Sequence, residues 1–166
     1  MRWIAVAASG TPELGNVSMS TFAKRKRASA KTPARGDAKT IHLVRHGRTE
    51  MNDYLRENHW ADPDFVDPMM IDTRLTSEGE AQARALRTIA TALEPAPELI
   101  VASPLRRALR TAELAFGAGG EDALGDVPRV VCALARERVF HGSDIGRVAR
   151  ELEAVSYTHL TLPTKA

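Results

Sequence analysis

The chain has 166 residues, of which 43% are hydrophobic and 27% are charged, as in an ordinary globular protein of one or two domains. Its single cysteine, Cys132, excludes an internal disulfide and a cysteine-rich metal site. No run of about 18 apolar residues predicts a transmembrane helix. The net charge of +2 divides unevenly, since residues 1–40 hold 8 Lys and Arg against 2 Asp and Glu, and the remainder holds 15 against 19. A mildly acidic body with a basic tail disfavours a protein built mainly to bind nucleic acid.

Residues 1–40 show little sustained apolar periodicity beyond a short start at residues 3–6, and they predict a disordered basic leader. Such a segment buries too little apolar surface to offset the entropy of ordering. A transit peptide is an alternative, because the segment is rich in Ser and Ala and poor in acids. It would place the protein in an organelle rather than the cytoplasm. The basic run at 24–27 leaves a nuclear or nucleic-acid patch as a third reading.

Residues 41–154 carry the predicted fold. Short apolar runs at 41–44, 99–102 and 130–134 predict buried strands. Between the first two, Ser77 and Glu80 have the spacing of a capping box and predict a helix start. The apolar face of that helix is formed by Leu86, Ile89, Ala90 and Leu93, and the helix ends before Pro95.

A second helix is predicted from Ser103 as N-cap and Pro104 as the first helical residue, where its missing N–H is not needed. Gly117 is its expected C-cap. The predicted buried stripe of this helix consists of Leu105, Ala108, Leu109 and Ala112. Strands alternating with helices over short links predict an α/β fold with a mostly parallel sheet.

Residues 155–166 differ in character from the rest of the chain. Residues 155–164, VSYTHLTLPT, carry no charge and follow a charged amphipathic segment directly. The stretch resembles the translated read-through of a transposon-type sequencing adaptor. A genuine short tail or strand is the alternative.

The first candidate for chemistry is the sequence Arg45-His46-Gly47, which follows the strand at 41–44. Ligands of open parallel sheets bind beyond the carboxyl ends of the strands, where a nucleophile or base would lie. Gly47 permits a sharp turn that brings backbone amides close to a ligand. The planar guanidinium of Arg45 suits phosphate oxygens.

The helix predicted to begin at Ser103 would start at the same edge of the sheet, if the strands are parallel. Its free amides and positive dipole end favour an anion, which Arg107 can also reach. Arg106 and Arg110 are expected to be solvated charges. Glu137 follows the third strand and is a candidate acid or base at this edge.

Three motifs in order resemble those of the histidine phosphatase, or phosphoglycerate mutase-like, superfamily. RHGRTEMN at 45–52 resembles its RHGxTxxN signature, LTSEGEAQA at 75–83 its LTxxGxxQA segment, and SPLRRALRTA at 103–112 its SPLxRAxxTA segment. RERVFHGSDIGR at 136–147 is a looser match to the stretch that holds the proton donor. The resemblance covers about residues 41–154. It implies a three-layer α/β/α fold with a mostly parallel sheet.

The resemblance also implies a mechanism. His46 would attack a phosphoryl group and become a phosphohistidine, and Arg45 and Arg107 would hold the phosphate. Glu137 best matches the acid that protonates the leaving oxygen, with Asp144 as the fallback. No metal and no cofactor is implied, and the expected partner is a small phosphorylated substrate or a phosphoprotein, with no nucleic acid and no membrane. Two polar residues match the lining of the same pocket, Thr49 and Asn52.

The family also has a second histidine late in the chain, after a further strand. His141 comes too early in the sequence, and His159 lies in the tail at 155–166. We therefore expect a partial domain that lacks this histidine and the closing elements. A phosphomonoester hydrolase is the expected function, and a mutase or a non-catalytic phosphate-binding fragment is the alternative. The segment at 65–68 lengthens the loop beyond His46, and we expect it to shape substrate access.

Overall fold

A computed structural model of the chain describes residues 3–9, 39–117, 124, 126–147 and 151. In these ranges the strands are β1 (Trp3–Ser9), β2 (Lys39–Arg45), β3 (Leu99–Ala102) and β4 (Arg129–Val131). The helices are α1 (Glu50–Glu57), α2 (Ser77–Thr91) and α3 (Arg106–Phe116). Two 3-10 turns follow at Ala133–Ala135 and Gly142–Asp144. The predicted α/β fold class is confirmed.

The four described strands form one sheet in the order β2-β1-β3-β4. β3 and β4 are parallel, whereas β1 is antiparallel to both β2 and β3. Consequently β2, β3 and β4 run in one direction, as the mostly parallel prediction requires. The carboxyl ends of β2 and β3 therefore meet at one edge of the sheet, which is where the two candidate segments after Arg45 and Ala102 begin.

β1 differs from the expectation for the leader. Residues 3–9, which the sequence analysis assigned to a segment without packed structure, pair along their whole length with β2 and over Ala5–Ala7 with β3. A single apolar run of seven residues gives no periodic signal of its own, and its order comes from hydrogen bonds on both sides. The other residues of the predicted leader, and the tail at 155–166, lie outside the described residues.

The helix starts differ from the predictions by one residue for α2 and by two for α3. The N-cap of α2 is Thr76, whose hydroxyl accepts from the Gly79 amide at 3.1 Å, so the predicted Ser77–Glu80 capping box is wrong. The N-cap of α3 is Leu105 rather than Ser103. Gly117 does end α3, with φ of 83°, as predicted.

The core lies between α3 and the sheet. The predicted stripe of α3 is buried throughout, whereas Ile89 on the predicted face of α2 remains 37% exposed. The buried face of α2 is instead formed by small residues, which lets α2 pack closely against its neighbours. The buried cluster comprises Val44, Ala90, Ile100, Ala102, Ala108, Leu109, Ala112, Ala115, Phe116 and Val131. β4 ends at Val131, before the predicted end of that strand, because the chain turns into the 3-10 turn at Ala133–Ala135.

Candidate phosphate site

His46 lies on the loop that leaves the carboxyl end of β2. Its ring is buried, and Nδ1 lies 2.6 Å from the carbonyl oxygen of Gly47. Because a carbonyl can only accept a hydrogen bond, Nδ1 must carry the proton and donate it. In the neutral ring, Nε2 is then the nitrogen with the lone pair. The backbone next to the imidazole therefore selects the tautomer that a nucleophilic Nε2 needs.

Gly47 is fixed by close contact with two helices. A Cβ on Gly47 would lie 2.2 Å from the carbonyl oxygen of Gly79, and a Cβ on Gly79 would lie 2.0 Å from that of Arg48. The Gly47 amide donates to the Thr111 hydroxyl at 3.2 Å, and this hydroxyl donates to the Arg107 carbonyl at 2.7 Å. The loop that carries His46 is thus held between the start of α2 and the first turns of α3.

Arg48 fastens the same loop from the other side. Its amide donates to the Gln82 side chain at 3.0 Å, and its guanidinium forms ion pairs with Asp53 and Glu78. The hydrogen bonds that the Arg48 guanidinium donates to Asp53 and to Glu78 raise the pKa of Arg48 above its ordinary value. Arg48 therefore joins α1 to α2 and lies in a position where its charge is already compensated.

Thr49 and Asn52, predicted to line the phosphate pocket, form the capping box of α1. The Thr49 hydroxyl accepts from the Asn52 amide at 3.2 Å, and Asn52 Oδ1 accepts from the Thr49 amide at 3.1 Å. Thr49 is fully buried. These contacts fix how α1 leaves the His46 loop, and a role of either residue in phosphate binding stays a prediction.

Arg107, on the first turn of α3, is fully buried. Its guanidinium donates to Asp144 Oδ1 at 2.8 Å and to the Ser143 carbonyl. Asp144 is itself 1% exposed, and its Oδ2 accepts from the amides of Phe140 at 3.1 Å and His141 at 3.2 Å. The predicted phosphate ligand on α3 is therefore paired with the residue named as the fallback acid.

The N-terminus of α3, predicted to attract an anion, also contacts a carboxylate of the chain. The Arg106 amide donates to Asp72 Oδ1 at 2.9 Å. Asp72 is 1% exposed, and its Oδ2 is buried without a hydrogen-bond partner among the described residues. Burial raises the pKa of this carboxyl, and the Arg106 amide and the Arg107 charge lower it only in part.

Three further residues named in the sequence analysis lie on different elements of the chain. Arg45 ends β2 with its side chain exposed. Glu137 is half-buried between the two 3-10 turns. Arg110, expected to be a solvated charge, forms ion pairs with Glu80 at 3.0 Å and Glu113 at 2.9 Å.

The loop predicted to shape substrate access contacts the segment that holds Asp144. The rings of Phe65 and His141 meet edge to face with centroids 5.7 Å apart. The Gly142 amide donates to Asp67 Oδ2 at 2.9 Å. His141 thus packs against this loop, and His159 lies outside the described residues. No group of three His, Cys, Asp or Glu placed to hold a metal occurs in the described ranges.

The histidine phosphatase superfamily (branch 1) is the family whose profile matches residues 41–126, just over half of the chain. The chain therefore belongs to the histidine phosphatase superfamily, and the resemblance stated from its motifs is confirmed. This superfamily covers both phosphatases and mutases. Comparisons with curated proteins and with solved structures find no match. Within the described part of the chain, no helix is long and apolar enough to cross a membrane.

Proposed function

We propose that this protein is a phosphomonoester hydrolase that works through a phosphohistidine on His46. The observation that carries the proposal is the contact between His46 Nδ1 and the Gly47 carbonyl at 2.6 Å. This contact presents Nε2 as a nucleophile without a separate base. Membership of a superfamily of phosphatases and mutases supports phosphoryl transfer as the class of reaction.

In the first step, the lone pair of His46 Nε2 forms a bond to phosphorus while the bond from phosphorus to the ester oxygen breaks. The leaving oxygen takes a proton from the carboxylic acid of Glu137. In the second step a water attacks the phosphohistidine, its proton passes to the Glu137 carboxylate, and the P–N bond breaks to release inorganic phosphate. Such a covalent intermediate divides one difficult displacement into two easier ones.

Arg45 and Arg107 are the proposed ligands of the phosphoryl oxygens. Charge that is spread over these oxygens in the transition state is stabilised best by cations fixed beforehand. Arg45 is exposed at the end of β2, and Arg107 is attached through Thr111 to the loop that carries His46. Glu137 is a better candidate for the acid than Asp144, because Glu137 is only half-buried whereas Asp144 is 1% exposed.

The test is covalent labelling with a phosphomonoester carrying ³²P, followed by rapid quenching in alkali. The wild-type protein is expected to carry a label that is stable in base and lost in acid, as a phosphohistidine is. His46→Ala should carry none, whereas His59→Ala, at an exposed histidine on the loop after α1, should label normally. A label that persists in His46→Ala contradicts the proposal. Transfer of the label to an added alcohol rather than to water would indicate a mutase.

A non-catalytic phosphate-binding role is a second candidate. The labelling experiment separates this role from hydrolysis. A protein of this kind would bind inorganic phosphate through Arg45 and Arg107 without forming any base-stable label.

A further inference from the structure

Both groups on α3 that the sequence analysis assigned to an anion are already in contact with carboxylates of this chain. The Arg106 amide at the helix N-terminus holds Asp72, and the Arg107 guanidinium holds Asp144. Arg107 and both carboxylates are at most 1% exposed. A phosphate therefore cannot reach Arg107 in this arrangement of the chain.

The carboxylate on Arg107 comes from the segment 139–145, which we call the Asp144 segment. Asp144 organises this segment, because its Oδ2 accepts from the amides of Phe140 and His141 and its own amide donates to the His141 carbonyl at 2.9 Å. The segment has a buried inner side and an exposed outer side: Gly142, Ser143 and Asp144 are buried, whereas Val139 and Phe140 are 56% and 77% exposed.

The Asp144 segment is attached to the rest of the protein by polar and aromatic contacts. Besides the ion pair with Arg107 and its hydrogen bond to the Ser143 carbonyl, these include the hydrogen bond from Gly142 to Asp67 and the edge-to-face contact of His141 with Phe65. Ser143 Oγ is fully buried with no hydrogen-bond partner in the described ranges, so the closed arrangement leaves one polar group unsatisfied. None of these contacts belongs to the apolar core.

We propose that Asp144 occupies the phosphate position on Arg107, so that the Asp144 segment is an autoinhibitory gate which must leave Arg107 before substrate binds. This inference rests on the proposed function, since it takes Arg107 as a phosphate ligand. One nitrogen of the Arg107 guanidinium donates to Asp144 Oδ1 and another donates to the Ser143 carbonyl. A phosphate held by Arg107 would take the same donors, so it competes directly with the Asp144 segment for them. A phosphate carries up to two negative charges against one for Asp144, and this difference favours the exchange.

The test measures the affinity for inorganic phosphate by titration calorimetry in the wild-type protein and in Asp144→Asn. The asparagine keeps the shape of the side chain, and its Oδ1 can still accept from the Phe140 and His141 amides. Its Nδ2 would then face Arg107 and cannot pair with it. We expect phosphate to bind at least tenfold more tightly to this variant, which corresponds to about 1.4 kcal/mol.

The matched control is Glu113→Gln, which removes the carboxylate that pairs with Arg110 further along α3. Its phosphate affinity is expected to equal that of the wild type. Equal or weaker binding of phosphate to Asp144→Asn overturns the proposal, and weaker binding would mean that Asp144 positions Arg107 for phosphate instead of competing with it.

If Asp144→Asn does not fold, a measurement on the wild-type protein tests whether the Asp144 segment is a gate. Backbone hydrogen exchange over residues 139–145 is compared with and without saturating phosphate. We expect exchange there to accelerate at least tenfold on phosphate binding, with no acceleration in α3. Exchange that is unchanged or slower overturns the gate. The phosphate affinity and the hydrogen exchange are both independent of catalysis. If exchange in the Asp144 segment accelerates but His46 carries no label, only the hydrolase proposal is rejected. If His46 is labelled normally but exchange in the segment does not accelerate, only the gate is rejected.

Discussion

Asp72 holds a buried carboxyl group whose titration affects stability. Burial raises its pKa above the ordinary 3.8. The folded protein therefore retains a proton at pH values where the unfolded chain has already lost it. Since stability falls with pH wherever the folded state binds more protons, Asp72 stabilises the fold fully at low pH. Its contribution is lost as the pH rises through the raised pKa.

Asp72→Asn is expected to remove this dependence, because the amide oxygen can still accept from Arg106 and no charge has to be buried. The free energy of unfolding, measured with urea between about pH 4 and pH 7, should decline less with pH in the variant than in the wild type. An identical slope in both proteins would contradict the assignment.

Asp67→Asn serves as the control of opposite sign. Burial alone would raise the pKa of Asp67, but the amides of Gly142 and Met69 and the neighbouring His141 lower it overall. Asp67 therefore stabilises the fold at pH values above its unfolded pKa, and this stability is lost as the pH falls through the lowered value. Its removal should change the slope in the direction opposite to that of Asp72→Asn.

At the level of single residues, the sequence indicates the role of a residue when that role depends on residues nearby in the sequence. His46 directly follows an apolar strand, and Thr49 and Asn52 have the i, i+3 spacing of the capping box that the structure shows. Asp72 has no such signal, and Asp144 is indicated only by the family resemblance, because their partners Arg106 and Arg107 lie 34 and 37 residues away. A lone aspartate in a polar loop is read from sequence as a surface charge, and only the folded chain shows it buried.

At the level of elements, the contact between the His46 loop and α2 depends on two glycines. Gly47→Ala would place a methyl group 2.2 Å from the backbone of Gly79, which is far inside van der Waals contact. We expect Gly47→Ala to destabilise the protein by at least about 1–3 kcal/mol, the usual cost of overpacking. The shift of the loop should also lower labelling of His46.

Gly146→Ala is the matched control for that substitution. Among the described residues, a Cβ at this position would meet a methyl group of Leu105 at 3.4 Å, which is an ordinary contact with a side chain. Urea denaturation should show little change in the free energy of unfolding. A loss in Gly146→Ala as large as that in Gly47→Ala would remove the close approach of Gly47 and Gly79 as the explanation.

Helices and strands were predicted correctly where the pattern of residues nearby in the sequence determines them. β3 coincides with the predicted strand, and Gly117 ends α3 as its φ of 83° favours. The start of α3 was displaced because its N-cap, Leu105, makes no side-chain cap hydrogen bond that a sequence pattern could indicate. The start of α2 was displaced because two neighbouring residues can serve as its cap. Thr76 and Ser77 are both good N-caps, and the choice of Thr76 goes with its hydroxyl, which lies 3.4 Å from the Arg48 carbonyl. The two residues of that contact are 28 positions apart, so the sequence around Thr76 does not indicate it.

For the whole molecule, the position of β1 determines how the sheet holds together. β1 lies between β2 and β3 and is the described strand that connects them. Val6 is paired with His42 on one side and with Ile100 on the other. The sequence analysis thus predicts no packed structure for residues 3–9, whereas the structure places these seven residues in the sheet.

The substitution Val6→Pro tests whether residues 3–9 form a strand of the sheet or a leader without packed structure. Proline removes a backbone donor and does not fit the interior of a sheet. We expect Val6→Pro to lower the thermal unfolding midpoint markedly, whereas Ser9→Pro, at the end of β1 and paired with Lys39 alone, should lower it less. If residues 3–9 are a leader without packed structure, neither substitution will change the midpoint.

The alternation of strands and helices predicted the direction of β2, β3 and β4, because such connections lead to parallel strands. The insertion of β1 was not predictable in the same way. Its pairing partners lie at least 30 residues away in β2 and more than 90 away in β3. A short run of Ala and Val is compatible with several structures until two neighbouring strands supply its hydrogen bonds.

The antiparallel direction of β1 has a practical consequence for work at the bench. Trp3 lies opposite Arg45, which immediately precedes the imidazole proposed as the nucleophile. A purification tag fused ahead of Met1 would join the chain only two residues before Trp3, and its histidines would be alternative phosphoryl acceptors in the labelling experiment. Recombinant protein for kinetic study should have such an extension cleaved off before any turnover is recorded.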